Sequence, residues 1–200
     1  MTRSIQAQED NRADAQALAD ARKSAEERNK LGQFATPFLV ACQIVARTLK
    51  ALPVDSPIDF LEPALGSGVF FSALLRNTRK ARIASATGCE IDPAYGDVAK
   101  ALWSPSGLRV LACDFIKFAS DPDNFGKFSL LCTNPPYVRH HHLQPDQKVA
   151  LQSLVLQRTG LQASGLSGRW RSPKWSHLCS LKWSHPIKQG RDQTGHCSCA

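Results

Sequence analysis

Four apolar runs, spaced along the chain with helix-like stretches between them, constrain the fold more than any other feature. They are Ile58–Glu62, Ile83–Ile91, Leu108–Cys113 and Phe128–Thr133. Their apolar character is nearly continuous, as in parallel strands covered on both faces. Helical spacing runs through Val69–Arg79, Pro93–Trp103 and Pro145–Arg158. Strand and helix alternating at this interval predict a doubly wound α/β sheet, a partial Rossmann-like sheet of four strands. A further helix precedes it. Thr36 suits a cap and Pro37 a first helical position, where no amide proton is needed. Phe38, Cys42, Val45 and Leu49 then recur at helical spacing.

The flanks read differently. Residues 1–30 are polar and lack Pro and Gly, with only a thin apolar stripe, so a solvated helix or docking arm is expected there. Residues 31–160 hold the α/β pattern. Residues 161–200 do not continue it; Lys174-Trp175-Ser176-His177 recurs as Lys182-Trp183-Ser184-His185, and no periodicity is sustained. The formal charge of +8 is concentrated in this tail, which carries six Lys/Arg and one acid from Gly165 onward, against 19 and 16 elsewhere. Net charge alone is therefore weak support for a nucleic-acid partner. The polar N-terminus and the lack of a bilayer-length apolar run point to a soluble, cytoplasmic chain and to no membrane partner. Cys42, Cys89, Cys113 and Cys132 fall in or beside expected helices and strands, where free thiols act as small hydrophobes in a reducing compartment.

Chemistry gathers at the ends of the four strands, where ligands bind in such sheets. The first run ends in Phe60-Leu61-Glu62-Pro63-Ala64-Leu65-Gly66-Ser67-Gly68. Gly66 and Gly68 allow a tight turn to approach a ligand; an ordinary strand-to-helix turn is the simpler alternative. Glu62 argues against a dinucleotide, because a carboxylate repels a pyrophosphate and attracts a cation. S-adenosylmethionine supplies an ammonium and a sulfonium. Glu90 ends the second run, where an acid can accept from both ribose hydroxyls. Asp114 and Phe115 follow the third, suited to an adenine amino group and ring.

The fourth run ends in Asn134-Pro135-Pro136-Tyr137. An exocyclic amine is a poor nucleophile, because its lone pair is delocalised into the ring. Two acceptors on its hydrogens favour the tetrahedral geometry that attack requires. The Asn134 side-chain oxygen and the Pro135 carbonyl are the expected pair. Pro135 and Pro136 stiffen the backbone and donate no competing amide proton. Tyr137 is expected to stack on the base, a contact of roughly 1–3 kcal/mol. A duplex base reaches such a pocket only by extrusion.

The ordered set Gly32-Gln33-Phe34-Ala35-Thr36-Pro37, Leu61 to Gly68, Glu90-Ile91-Asp92-Pro93, Asp114-Phe115 and Asn134 to Tyr137 resembles the gamma-type N6-adenine DNA methyltransferases of restriction–modification systems. The resemblance covers about residues 30 to 143. It implies S-adenosylmethionine as cofactor, with Phe34 and Thr36 at its methionine end. Glu62 would face the ammonium, Glu90 the ribose, and Asp114 with Phe115 the adenine. Ala64, Gly66, Gly68 and Ile91 belong to the same cofactor motifs. Asn134, Pro135, Pro136 and Tyr137 would grip a flipped adenine of duplex DNA.

Such enzymes continue with three more strands and usually a DNA-recognition domain. Some 60 residues follow Tyr137 here. A truncated or frame-shifted product is therefore expected, with a non-native tail and strand four as an open apolar edge. Activity would then depend on a second chain that supplies what is missing, or be absent; a genuine basic tail is the simpler alternative. Protein-glutamine or RNA amine methylation is the nearest rival activity, and a non-catalytic cofactor-binding subunit the rival of another kind. His140-His141-His142 and His196-Cys197 lack metal-ligand spacing, so no metal is expected.

Overall fold

The computed structural model describes residues 2–136, with residues 149, 153 and 198–199 besides. The apolar runs become β1 (Ile58–Glu62), β2 (Ile83–Glu90), β3 (Leu108–Ala112) and β4 (Leu130–Thr133). All pair in parallel, in the order β3-β2-β1-β4. Phe60 of β1 lies opposite Ala86 on one side and Leu130 on the other. The α/β architecture is the one expected.

Two differences lie at β4. It begins at Leu130 rather than Phe128, because Ser129 is engaged outside the ladder. Its N–H donates to the Asp59 carbonyl and its hydroxyl accepts from the Asp59 N–H, both at 2.9 Å. The expected open edge is also met by a short strand, β5 (Ser198–Cys199), which pairs in parallel with Cys132 and Thr133. The tail is thus not wholly irregular; the rest of it, with His140 to His142 and most of the expected Pro145–Arg158 helix, lies outside the described residues.

Six helices accompany the sheet among the described residues: α1 (Thr2–Ala21), α2 (Ala25–Leu31), α3 (Phe38–Leu49), α4 (Val69–Asn77), α5 (Pro93–Trp103) and α6 (Phe115–Ser120). Their starts follow local chemistry. Ser24 and Glu27 form a reciprocal capping box on α2. Asp92 caps α5 through the Ala94 N–H, and Pro93 occupies its first turn. The α4 start has no local side-chain cap. Glu62, at the end of β1, takes that role from a distance: its two oxygens accept the Phe70 and Phe71 N–H groups at 3.2 and 3.0 Å.

The core has a layer on each face of the sheet. Phe60, Phe70, Phe71, Trp103 and Leu130 pack together on the side of α3, α4 and α5. Leu61, Cys89, Phe115 and Ala119 fill the other side beneath α6. Burying each large side chain contributes roughly 1.5–3 kcal/mol, so the larger first layer carries most of the apolar stabilisation.

The N-terminal segment departs from expectation. It is two helices, broken at residues 22–24, and α1 is not solvated all round. It packs on α4 and α5 and buries Glu9, Arg12 and Ala19. Among the described residues, no helix is long and apolar enough to cross a membrane.

Candidate active site

A cavity of about 500 Å³ opens beyond the carboxyl ends of the strands, at the point where β1 separates β2 from β4. That is the switch point at which doubly wound sheets bind ligands, and the volume suits a small molecule. Of the expected site residues, Phe34, Thr36, Glu62, Ala64, Gly66, Glu90, Ile91, Asp114, Phe115, Asn134 and Pro136 line it. Gly68 and Pro135 are buried behind the wall. Tyr137 lies outside the described residues.

Glu62 is fully buried. Burial pushes its carboxyl well above the ordinary carboxylate range, against the Phe70 and Phe71 N–H groups and Arg12, which favour the charged form. A cation brought beside it would restore the charge. Glu90 is held by the loop it faces. Its oxygens accept from the Gly66 N–H at 2.7 Å and the Asp92 N–H at 2.9 Å. Burial again raises its pKa, with those two bonds opposing.

The glycine turn is shaped by its neighbours. Gly68 has φ +86°, and a Cβ there would sit 2.6 Å from Trp103 Nε1. The Trp103 indole N–H donates to the Ser67 carbonyl at 2.8 Å. The turn therefore cannot relax away from the cavity without breaking that bond.

At β3 the Asp114 carboxylate accepts the Lys117 N–H at 3.1 Å and starts α6. Phe115 is buried in the second core layer with one side on the cavity. Ile91 is 70% exposed and Phe34 54% exposed, although both line the cavity. They are apolar surface that a flat ring would cover. Cys89 and Cys113 also line it. Burial, then the neighbouring Cys113, pushes the Cys89 thiol up, so it is wall rather than nucleophile.

Asn134 follows β4 and is held from across the sequence. Its Nδ2 donates to the Thr36 hydroxyl at 3.0 Å and to the Phe34 carbonyl at 3.4 Å. A carbonyl only accepts, so the amide nitrogen must face that way. Among the described residues the Asn134 Oδ1 is buried without a partner, as is the Thr133 hydroxyl. Thr36 is thus not the helix cap expected from its position; Pro37 precedes α3, without a side-chain cap.

Sequence reasoning missed the contribution of α1. Arg12, Gln16 and Asp20 line the cavity. Tyr95 donates to Asp20 at 2.7 Å, and Lys23 pairs with Asp92, which also accepts from Gln33 at 2.8 Å. Burial works to raise the Asp92 pKa, but the bonds from Lys23, Gln33 and the Ala94 N–H outweigh it and hold it below the ordinary range. This network fastens α1 and the Gln33 segment to α5. Among the described residues, no cluster of three or more His, Cys, Asp or Glu has metal-binding geometry.

No protein-family profile matches the chain. Over 116 residues it is 33% identical to the Type II methyltransferase M.CvrRI of Paramecium bursaria Chlorella virus XZ-6E, covering 58% of this chain and 27% of that protein. The type IIG restriction endonuclease BpuSI superposes with a TM-score of 0.58 at 16% identity, over 74% of this chain and 18% of that one. The chain has a Rossmann-like α/β fold, shared with that part of BpuSI. The plantazolicin methyltransferase BpumL, solved with SAH, aligns at a TM-score of 0.40 and 19% identity, over 68% and 51% of the two chains. The chain spans about a quarter of the length of the viral relative and less than a fifth of BpuSI.

Proposed function

We propose that this chain is the cofactor-binding and amine-methylating part of an S-adenosylmethionine-dependent N6-adenine DNA methyltransferase of the restriction–modification kind. The observation that carries this reading is the Asn134 Oδ1, an acceptor buried beside the cavity with no partner among the described residues. A buried acceptor left unsatisfied costs about 1–3 kcal/mol. An amine hydrogen in the cavity offsets that cost.

The cavity suits the cofactor. Acids stand at the ends of β1, β2 and β3, and apolar Ile91, Phe34 and Phe115 offer faces for an adenine ring. Acids in these places disfavour a pyrophosphate. When bound, S-adenosylmethionine supplies an electrophilic methyl on sulfur. The chain's own work is then positional. Asn134 Oδ1 takes one hydrogen of the acceptor amine; the Pro135 carbonyl, although its residue is set back from the lining, is proposed to take the second. Thr36 and the Phe34 carbonyl hold the amide so that its oxygen, not its nitrogen, faces the amine. Orientation and fixed dipoles of this kind supply the rate without a covalent nucleophile. Tyr137 is proposed to stack on the extruded base.

The likeness to a type II methyltransferase and to a type IIG restriction enzyme favours DNA over the rival acceptors. Duplex DNA extruding an adenine is the proposed partner; a second chain would add further strands and base recognition, with the methyl-transfer groups themselves carried by this chain. The test is an acceptor panel. The purified chain is given methyl-labelled S-adenosylmethionine with duplex DNA, structured RNA or a glutamine-bearing release-factor-like protein. Label in DNA alone supports the reading, and label in RNA or protein alone overturns it. A non-catalytic subunit would bind the cofactor and label none of the three.

A further inference from the structure

Arg12 is the one basic side chain lining the cavity among the described residues. It is carried by α1, is 5% exposed, and reaches the glycine turn, where its Nη1 donates to the Ser67 hydroxyl at 2.7 Å. Its Nε and Nη2 donate to the two oxygens of Glu9 at 2.8 and 2.7 Å. Glu9 also accepts from Ser72 at 2.6 Å, which ties the pair to α4. Part of the guanidinium fork on Nη1 and Nη2 remains uncommitted in these bonds.

A buried ion pair is a weak device for stability, because desolvation opposes it and well-packed apolar residues do as well. Its placement on a cavity wall therefore calls for another account. The other charged side chains on that wall are acids: Asp20, Glu62, Glu90 and Asp114. Arg12 lies close enough to Glu62 to act on its ionisation. An ammonium brought to Glu62 would restore its charge, leaving one cationic and one anionic group on the same cavity wall, the pattern that complements a zwitterion.

We infer that Arg12 receives the carboxylate of the cofactor's methionine end while Glu62 faces its ammonium. The inference rests on the S-adenosylmethionine reading above and extends it, since it makes the N-terminal helix part of the cofactor site. A planar guanidinium suits a carboxylate better than any other side chain. Glu9 offsets the charge that Arg12 would otherwise add beside a sulfonium.

The test separates a ligand contact from a clamp on α1. Calorimetry of the full chain compares S-adenosylmethionine with its decarboxylated form, which keeps the ammonium, sulfonium and nucleoside. The unaltered chain should prefer the carboxylated ligand by about 10-fold or more. In Arg12→Gln that preference should fall to near unity, with the decarboxylated ligand bound about as before. Glu9→Gln should move the preference the other way, above that of the unaltered chain, which misfolding cannot imitate. Equal weakening of both ligands in Arg12→Gln, or a reduced preference in Glu9→Gln, overturns the inference. Binding of neither ligand to the unaltered chain overturns the cofactor reading and the inference with it.

Discussion

The side-chain nitrogen of Asn134 donates to the hydroxyl of Thr36, 98 residues away, and the Asn134 oxygen is left buried and unpartnered among the described residues. The Phe34 carbonyl, which can only accept, sets which end of the amide faces the cavity, and the Thr36 hydroxyl holds it there at the shorter distance. The segment before α3 and the turn after β4, which look independent in the sequence, form a single unit.

Thr36→Val keeps the side-chain shape and removes that acceptor. The Asn134 amide then retains only the longer bond to the Phe34 carbonyl. A lost hydrogen bond of about 1–1.5 kcal/mol corresponds to roughly 10-fold in rate. Turnover is expected to fall by that factor while cofactor affinity changes less. A kcat-against-KM comparison checks it; a loss confined to cofactor KM contradicts the role given to Thr36.

The two glycines of the β1–α4 turn should respond differently to alanine. Gly68→Ala combines a left-handed φ with a Cβ placed 2.6 Å from Trp103, and should cost about 2–4 kcal/mol. Gly66 has φ +54° and nothing within 4 Å of its Cβ position. Gly66→Ala should therefore cost only about 1 kcal/mol, the backbone share. Urea unfolding of the two variants measures the difference, and equal costs would contradict the close approach to Trp103.

Helix and strand positions were legible where one local force governs them. The β1 and α5 bounds emerge as expected, since an apolar run and an Asp-Pro start leave little competition. α6 was missed, although Asp114 before an apolar stretch is a usable cap signal. Other features depend on contacts distant in sequence. The Thr36 hydroxyl resembles a cap until Asn134 is beside it. α1 buries Glu9 and Arg12 against each other and against Ser67 and Ser72, so its inner face shows no apolar stripe. Period-based reasoning reads polar burial as solvent. The acids at the strand ends were visible because topology places every such end on one side. Their bonds to the backbone of Gly66, Phe70 and Phe71 were not.

Glu62 and Glu90 give stability a pH dependence of defined sign. Both titrate above the ordinary value of 4.5 in the folded chain, chiefly through burial. Between that value and the raised ones the folded chain binds more protons than the unfolded chain. Stability therefore falls as pH rises through this window. Asp92 is shifted the other way, so its contribution is present above its ordinary value of 3.8 and is lost only as pH falls below it. It leaves the higher window clear. Glu62→Gln should flatten the decline, read as the urea midpoint against pH; an unchanged slope would contradict a buried, protonatable Glu62.

The central claim is that Asn134 presents its oxygen to an amine that receives a methyl group. It is tested most directly by nucleoside mass spectrometry of mixed-sequence duplex DNA incubated with S-adenosylmethionine and either the unaltered chain or Asn134→Ala, with cofactor affinity measured beside it. The account predicts N6-methyladenine from the unaltered chain. For Asn134→Ala it predicts cofactor affinity within about twofold and at least roughly 100-fold less product. Undiminished product from Asn134→Ala, or methyl groups found elsewhere than adenine N6, would contradict it.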